Sequence, residues 1–168
     1  MNKTEQSLMS EHKTEITPEE KARILLERLS AGFNMTPFNA YIGLEMTGIT
    51  EDTVTARFSM KPHLIGNMAK QILHGGVIAA ALDAVGGAMG ITAAYQKMKG
   101  EPREEKMLRV AKFGTIDMRV DYLQPGRGDW FEARGKVIRI GKKVCVTQME
   151  LSNDSGELIA VGTGTYLY

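Results

Sequence analysis

The stretch Gly75 to Tyr95, GGVIAAALDAVGGAMGITAAY, constrains this chain more than any other, because it is long, small and apolar with a single charge, Asp83. Apolar residues around most of a helical circumference predict a helix enclosed on several sides rather than one lying on a surface. A bilayer or a strongly curved sheet could enclose it. The length suits a membrane span, and Gly86 and Gly90 have the GxxxG spacing of packed membrane helices. Asp83 weighs against the bilayer, since a central Asp costs about 2.5–3.5 kcal/mol on insertion and Gly and Ala offset little of that. No membrane is therefore expected as a partner.

The flanking sequence supplies the sheet. Before the apolar stretch, Leu44, Met46 and Gly48, then Val54, Ala56, Phe58 and Met60, recur at period two and predict a hairpin turning at Glu51-Asp52. After it, four β-like segments follow: Phe113 to Gln124, Trp130 to Ile140, Lys143 to Asn153 and Glu157 to Tyr168. The turn sequences Pro125-Gly126-Arg127-Gly128, Gly141-Lys142 and Asn153-Asp154-Ser155-Gly156 separate them, which predicts a meander of hairpins. Strands on both sides of one helix argue for an α+β chain with a largely antiparallel sheet, not βαβ units. A curved antiparallel sheet wrapped around a central helix is the hotdog fold, and that is the expected architecture. Two copies meeting edge to edge would hide an exposed sheet edge.

Residues 1–16 are polar and aperiodic and are expected to form a flexible tail, with one domain over 17–168. Thr17 is an expected N-cap, with Pro18 at the first helical position and Glu20 three residues on. Ile24, Leu25, Arg28 and Leu29 mark a mixed face of this first helix, and Gly32 is expected to end it. The segment 97–112, rich in Lys, Arg and Glu, reads as a charged connector, either mobile or carrying a short helical turn.

Composition narrows the partners. Lys and Arg number 21 against 20 Asp and Glu, and a net charge of +1 offers no field suited to a nucleic-acid backbone. The single cysteine, Cys145, lies in a strand-like KVCVTQ setting and has no intramolecular partner. The first residues hold no apolar core of the kind an export signal needs, so a cytoplasmic location is expected. His12, His63 and His74 lack the paired spacing of metal ligands, and neither a metal nor a cofactor is expected.

A carboxylate within an apolar helix is costly unless it is hydrogen-bonded or its pKa is raised, which makes Asp83 the first candidate for chemistry. It follows His74-Gly75-Gly76 by two to three helical turns, and a glycine-led helix start presents free backbone N–H groups to an oxyanion. Other readings of these residues stand beside this one. Asp83 could pair with a strand or a partner subunit, His74 could cap its helix, and the glycines could serve only the turn.

At this point two motifs carry a resemblance. Asn67 followed by HGGVIAAALDAVGGA, then GTIDMRVDYLQPGRG, resembles the PaaI-type hotdog thioesterases, including their spacing of nine from His74 to Asp83. IGNMAKQILHGGVIAAALDA, FGTIDMRVDYLQPGRG and MTPFNAYIGLEM resemble more narrowly the bacterial YigI-type medium- and long-chain acyl-CoA thioesterases. The resemblance implies a thioester hydrolase in which Asp83 is nucleophile or general base and Gly75 donates its N–H to the oxyanion. By the same resemblance His74 sits near the thioester, Asn67 helps place substrate or water, and Thr115 holds the attacking water. Asn67 stands seven residues before His74, where many members have six. The implied assembly is a homodimer or dimer of dimers, with Asp83 reaching the HGG turn of its partner.

An acyl-CoA substrate brings phosphates, so cations or backbone donors are needed near the pocket mouth. Gly76, Lys142, Lys143 and Arg119 are the candidates, with Arg134 and Arg139 on or beside strands. Met46, Met60, Met89 and Met118 fall where they could line an acyl cavity or simply fill the core. Three rivals remain open: a hotdog protein that binds or dehydrates acyl thioesters without hydrolysing them, the membrane helix, and a regulatory protein using the charged connector.

Overall fold

The computed structural model describes residues 17–98 and 100–168, so the expected tail at 1–16 lies outside the described residues. Helix α1 (Pro18–Met35) opens with a reciprocal capping box. The Glu20 N–H donates to Thr17 Oγ1 at 3.2 Å, and the Thr17 N–H donates to Glu20 Oε2 at 2.9 Å. The helix does not stop at Gly32 as the sequence predicts but runs on for three residues to Met35. Its end is fixed from elsewhere: the Met46 N–H donates to Asn34 Oδ1 at 2.9 Å, and the buried Asn39 side chain donates to the Phe33 carbonyl at 2.9 Å. Such tertiary bonds hold a helix through a glycine that propensity alone would treat as its end.

After the short α2 (Pro37–Ile42), strands β1 (Glu45–Ile49) and β2 (Thr53–Ser59) form the expected hairpin. A single 3₁₀ turn leads to a small second sheet, β3 (Ile65–Asn67) with β4 (Ile72–Leu73). These strands are too short to show alternation, so the sequence predicts only a break there. The apolar stretch is helix α3 (Gly75–Lys97), and the connector carries α4 (Arg103–Val110). Strands β5 (Gly114–Tyr122), β6 (Trp130–Ile140), β7 (Val144–Asn153) and β8 (Leu158–Leu167) complete the chain.

Six strands form one antiparallel sheet in the order β1-β2-β6-β7-β8-β5, with α3 lying across one face. This is the α+β hotdog arrangement. The meander is shorter than expected: β6, β7 and β8 are joined by hairpins, but β5 pairs with β8 rather than β6. The Pro125 to Gly128 segment is therefore a crossover, and it passes the start of α3, where the Leu73 N–H donates to the Gly126 carbonyl at 2.9 Å. Gly126 belongs there because a Cβ would stand 2.7 Å from Leu73 Cβ. β5 is consequently an edge strand, as β1 is at the opposite side.

The core lies between α3 and the sheet. Ile78, Leu82, Val85 and Met89 form one buried stripe of α3, spaced to fall on a single face. They meet the inward rows Val54, Ala56 and Phe58, Phe131 and Ala133, and Met149 and Leu151. Fully burying each large side chain contributes about 1.5–3 kcal/mol, which more than offsets the presence of one half-buried carboxylate on the other side of the helix. Helix and sheet approach to backbone contact: a Cβ on Gly135 would stand 2.8 Å from the Val85 carbonyl oxygen. The hydropathy that made α3 a possible membrane span is explained by this enclosure.

Candidate active site

Where α3 turns away from the sheet, its residues Ala80, Asp83, Ala84, Gly87, Ala88 and Ile91 line a groove of about 610 Å³. Leu29 and Phe33 of α1 wall one side, Phe113 and Thr115 another, and Met46 and Tyr166 contribute from the sheet. Asp83 is the one carboxylate among the lining residues. The Thr115 hydroxyl donates to Asp83 Oδ1 at 3.0 Å, so the expected pair is brought together across α3 and β5. That bond occupies one carboxylate oxygen and leaves Oδ2 without a protein donor among the described residues. Beneath it, the buried Tyr166 hydroxyl donates to the Asp83 backbone carbonyl at 3.4 Å. Burial, with the nearby Asp83 charge, pushes the Tyr166 phenol well above its ordinary pKa, so it remains a neutral donor.

The HGG turn forms the start of α3. His74 is the N-cap, and its Nδ1 accepts the Gly76 N–H at 2.8 Å, which places the ring proton of a neutral imidazole on Nε2. The His74 carbonyl takes the Val77 and Ile78 N–H groups, at 2.9 and 3.2 Å. The Gly76 donor is thus consumed within the turn. The Gly75 N–H has no acceptor among the described residues, which makes it the available donor of the pair. Gly75 is held from its other side, where the exposed Tyr122 hydroxyl at the end of β5 donates to its carbonyl at 3.0 Å.

Asn67 lies at the end of β3, with its Oδ1 accepting the Lys70 N–H at 3.0 Å, and so braces the turn that leads toward His74. The remaining candidates are dispersed. Lys142 and Lys143 are exposed on the β6–β7 turn, which Lys97 at the end of α3 contacts through its Nζ at the Ile140 and Gly141 carbonyls. Asp83 precedes Lys97 by fourteen residues, about 21 Å of helix, so that turn is remote from the carboxylate of the same chain. Arg119 is exposed on β5 and forms an ion pair with Asp121 at 3.0 Å. Arg134 and Arg139 are exposed on β6. Of the methionines, Met46 lines the groove, Met89 is buried against the sheet, and Met60 and Met118 are half-buried at the core margin. No group of three or more His, Cys, Asp or Glu side chains is gathered in one place among the described residues.

Sequence reasoning did not find Tyr122, Tyr166, Leu29 or Phe33. Each is an apolar or aromatic residue in a regular element with no local signal, and only tertiary packing brings Leu29, Phe33 and Tyr166 to the groove and Tyr122 to the Gly75 carbonyl. Gly75 and Asp83 of one chain are separated by eight residues, about 12 Å along the helix axis, so one carbonyl group cannot touch both.

A carboxylate in a mostly apolar groove, a hydroxyl bonded to it and a free N–H at a helix start are groups of the kind that acyl transfer can use. The chain belongs to the thioesterase superfamily: the family model of that description matches residues 70–160. It is 40% identical to the medium/long-chain acyl-CoA thioesterase YigI of Escherichia coli strain K12, over 78% of this chain and 84% of that one. A crystal structure from Shewanella oneidensis, described as related to the thioesterase superfamily, superposes with a TM-score of 0.82 at 44% identity, covering 88% of this chain and 97% of that one. The Escherichia coli PaaI protein, at 16% identity and a TM-score of 0.69 over 87% of this chain and 94% of that one, shares the fold.

Proposed function

We propose that this protein hydrolyses medium- to long-chain acyl-CoA thioesters to the free acid and CoA, with Asp83 as general base. The observation that carries the reading is the Thr115–Asp83 bond at the wall of a mostly apolar groove, whose other polar lining residues include Arg28, Thr36 and Asn39. Similarity to YigI supplies the substrate class. Thr115 donates its proton to Oδ1 and keeps lone pairs that can accept from a water molecule, so a water placed between the two faces Oδ2. Asp83 takes a proton from that water as its oxygen attacks the thioester carbonyl. The carbonyl oxygen becomes an oxyanion, the C–S bond then breaks, and the departing thiolate takes up the proton.

The oxyanion needs a donor that Asp83's own chain holds too far away. We infer that a second copy supplies it, in a homodimer or dimer of dimers. β5 favours this assembly because it is an edge strand that exposes Ile116 and Tyr122, with Leu123 exposed just beyond its end. Thr115, at one end of β5, holds Asp83; Tyr122, at the other, holds Gly75. Two β5 edges pairing antiparallel about a twofold axis bring Asp83 of one chain beside the Gly75 turn of its partner.

Free-thiol release from acyl-CoAs of graded length, by the unaltered protein and a folded Asp83→Asn variant, tests the chemistry. Turnover lowered by about 10²-fold or more is the expected result, and equal turnover would remove Asp83 from the mechanism. Mixing Asp83→Asn with a variant altered at the HGG turn tests the shared site. Recovery of activity that neither has alone is expected, and none in a proven mixed dimer would confine each site to one chain.

A further inference from the structure

We propose that Gly87 sets how far the acyl chain reaches along the groove, an inference that rests on the thioesterase reading above. Three glycines within one turn of α3, Gly86, Gly87 and Gly90, behave differently. At Gly86 a Cβ would collide with the Tyr166 hydroxyl and lie 2.8 Å from Met149 Sδ. At Gly90 it would lie 2.7 Å from Cys145 Sγ and 2.8 Å from Phe113 Cζ. Packing therefore requires glycine at both. At Gly87 a Cβ would stand 3.6 Å from Phe113 Cε1 and 3.7 Å from Tyr166 Cε1, which are ordinary contacts.

Gly87 also has no need of left-handed backbone, since it lies inside a regular helix and is absent from the positive-φ positions. Glycine is nonetheless the poorest helix former after proline. What remains for it to provide is open space. Gly87 lies one turn beyond Asp83 on the same face, about 6 Å along the axis, and both line the groove. The lining gives the groove a direction: Asp83 faces Thr115, whereas Gly87 and Gly90 face Phe113. An acyl chain whose carbonyl lies at Asp83 would run past Gly87 toward Ile91, Phe113 and Val110. A side chain at position 87 would stand in that path and leave the carboxylate, Thr115 and the helix start in place.

The test is kcat/KM across saturated acyl-CoAs of graded length for the unaltered protein, Gly87→Ala and Gly87→Leu, with thermal midpoints measured alongside. The expected result is a stepwise loss of preference for long chains. In Gly87→Leu the long-to-short ratio falls about tenfold or more, as a few blocked methylenes would produce, chiefly through KM. Gly87→Ala melts no lower than the unaltered protein. An unchanged profile, or an equal loss at every length, would overturn the proposal while leaving the thioesterase reading intact. Failure of the unaltered protein to hydrolyse any acyl-CoA would remove that reading and this inference together. If Gly87→Leu turns over too slowly, calorimetric binding of alkyl-CoA thioethers gives the same readout, and undiminished binding of the longest thioether overturns the proposal.

Discussion

The two long faces of α3 are both predominantly apolar and carry different burdens. One presents Ile78, Leu82, Val85 and Met89 to the sheet, at contact so close that Gly86 and Gly135 admit no side chain. The other presents Ala80, Asp83, Ala84, Gly87 and Ala88 to a groove, where small residues leave room and one of them is charged. Smallness at Gly86, beside that face, allows helix and sheet to meet; smallness on the second face leaves the space unfilled. The contrast teaches that an apolar, glycine-rich helix cannot be assigned a role by composition, because packing and vacancy call for the same residues.

Substitutions can break this contrast in order of size. Asp83→Asn is expected to lower turnover by about 10²–10⁴-fold, the range for loss of a general base, while denaturant unfolding shifts by no more than about 0.5 kcal/mol. Leu82→Ala, one residue away and on the opposite face, is expected to do the reverse and cost about 2–5 kcal/mol in urea unfolding. Comparable stability loss in both variants would erase the division between the faces. Thr115→Val is expected to slow turnover roughly tenfold to a hundredfold, the kinetic equivalent of one hydrogen bond to a charged acceptor, with little change in unfolding. Gly86→Ala is expected to destabilise by about 1–3 kcal/mol through overpacking, where Gly87→Ala does not. Equal effects at those adjacent positions would show that the groove is tighter than its geometry describes.

The sheet-facing side of this division was largely legible in the sequence. Period-two alternation in β2, the turns that bound the segments of β6, β7 and β8, and the long apolar run of α3 broken only by Asp83 are patterns that folding imposes directly. The partner of β5 was not legible, because a turn sequence such as Pro125-Gly126-Arg127-Gly128 marks a change of direction without saying which strand is met next. On the groove side, Asp83 stood out as a lone charge, and the nearby glycines suggested the helix start. Thr115 was found only by resemblance, since nothing about a threonine in a strand points thirty-two residues back to a carboxylate. Tyr122 and the α1 wall left no trace for the same reason: their role exists only in the tertiary arrangement.

Because the groove is written along one regular helix, its features are spaced by residue count rather than by a deformable loop. Inserting a single residue between Asp83 and Gly87 would rotate everything beyond it by about 100° and carry the groove lining toward the sheet. Deletion would do the same in the opposite sense. The interval from carboxylate to glycine is therefore intolerant of length change, and its specificity is altered by exchange of residues at constant spacing. Insertions and deletions are better placed in the connector between α3 and β5 and in the hairpin turns, where chain can be added without turning a groove-lining helix.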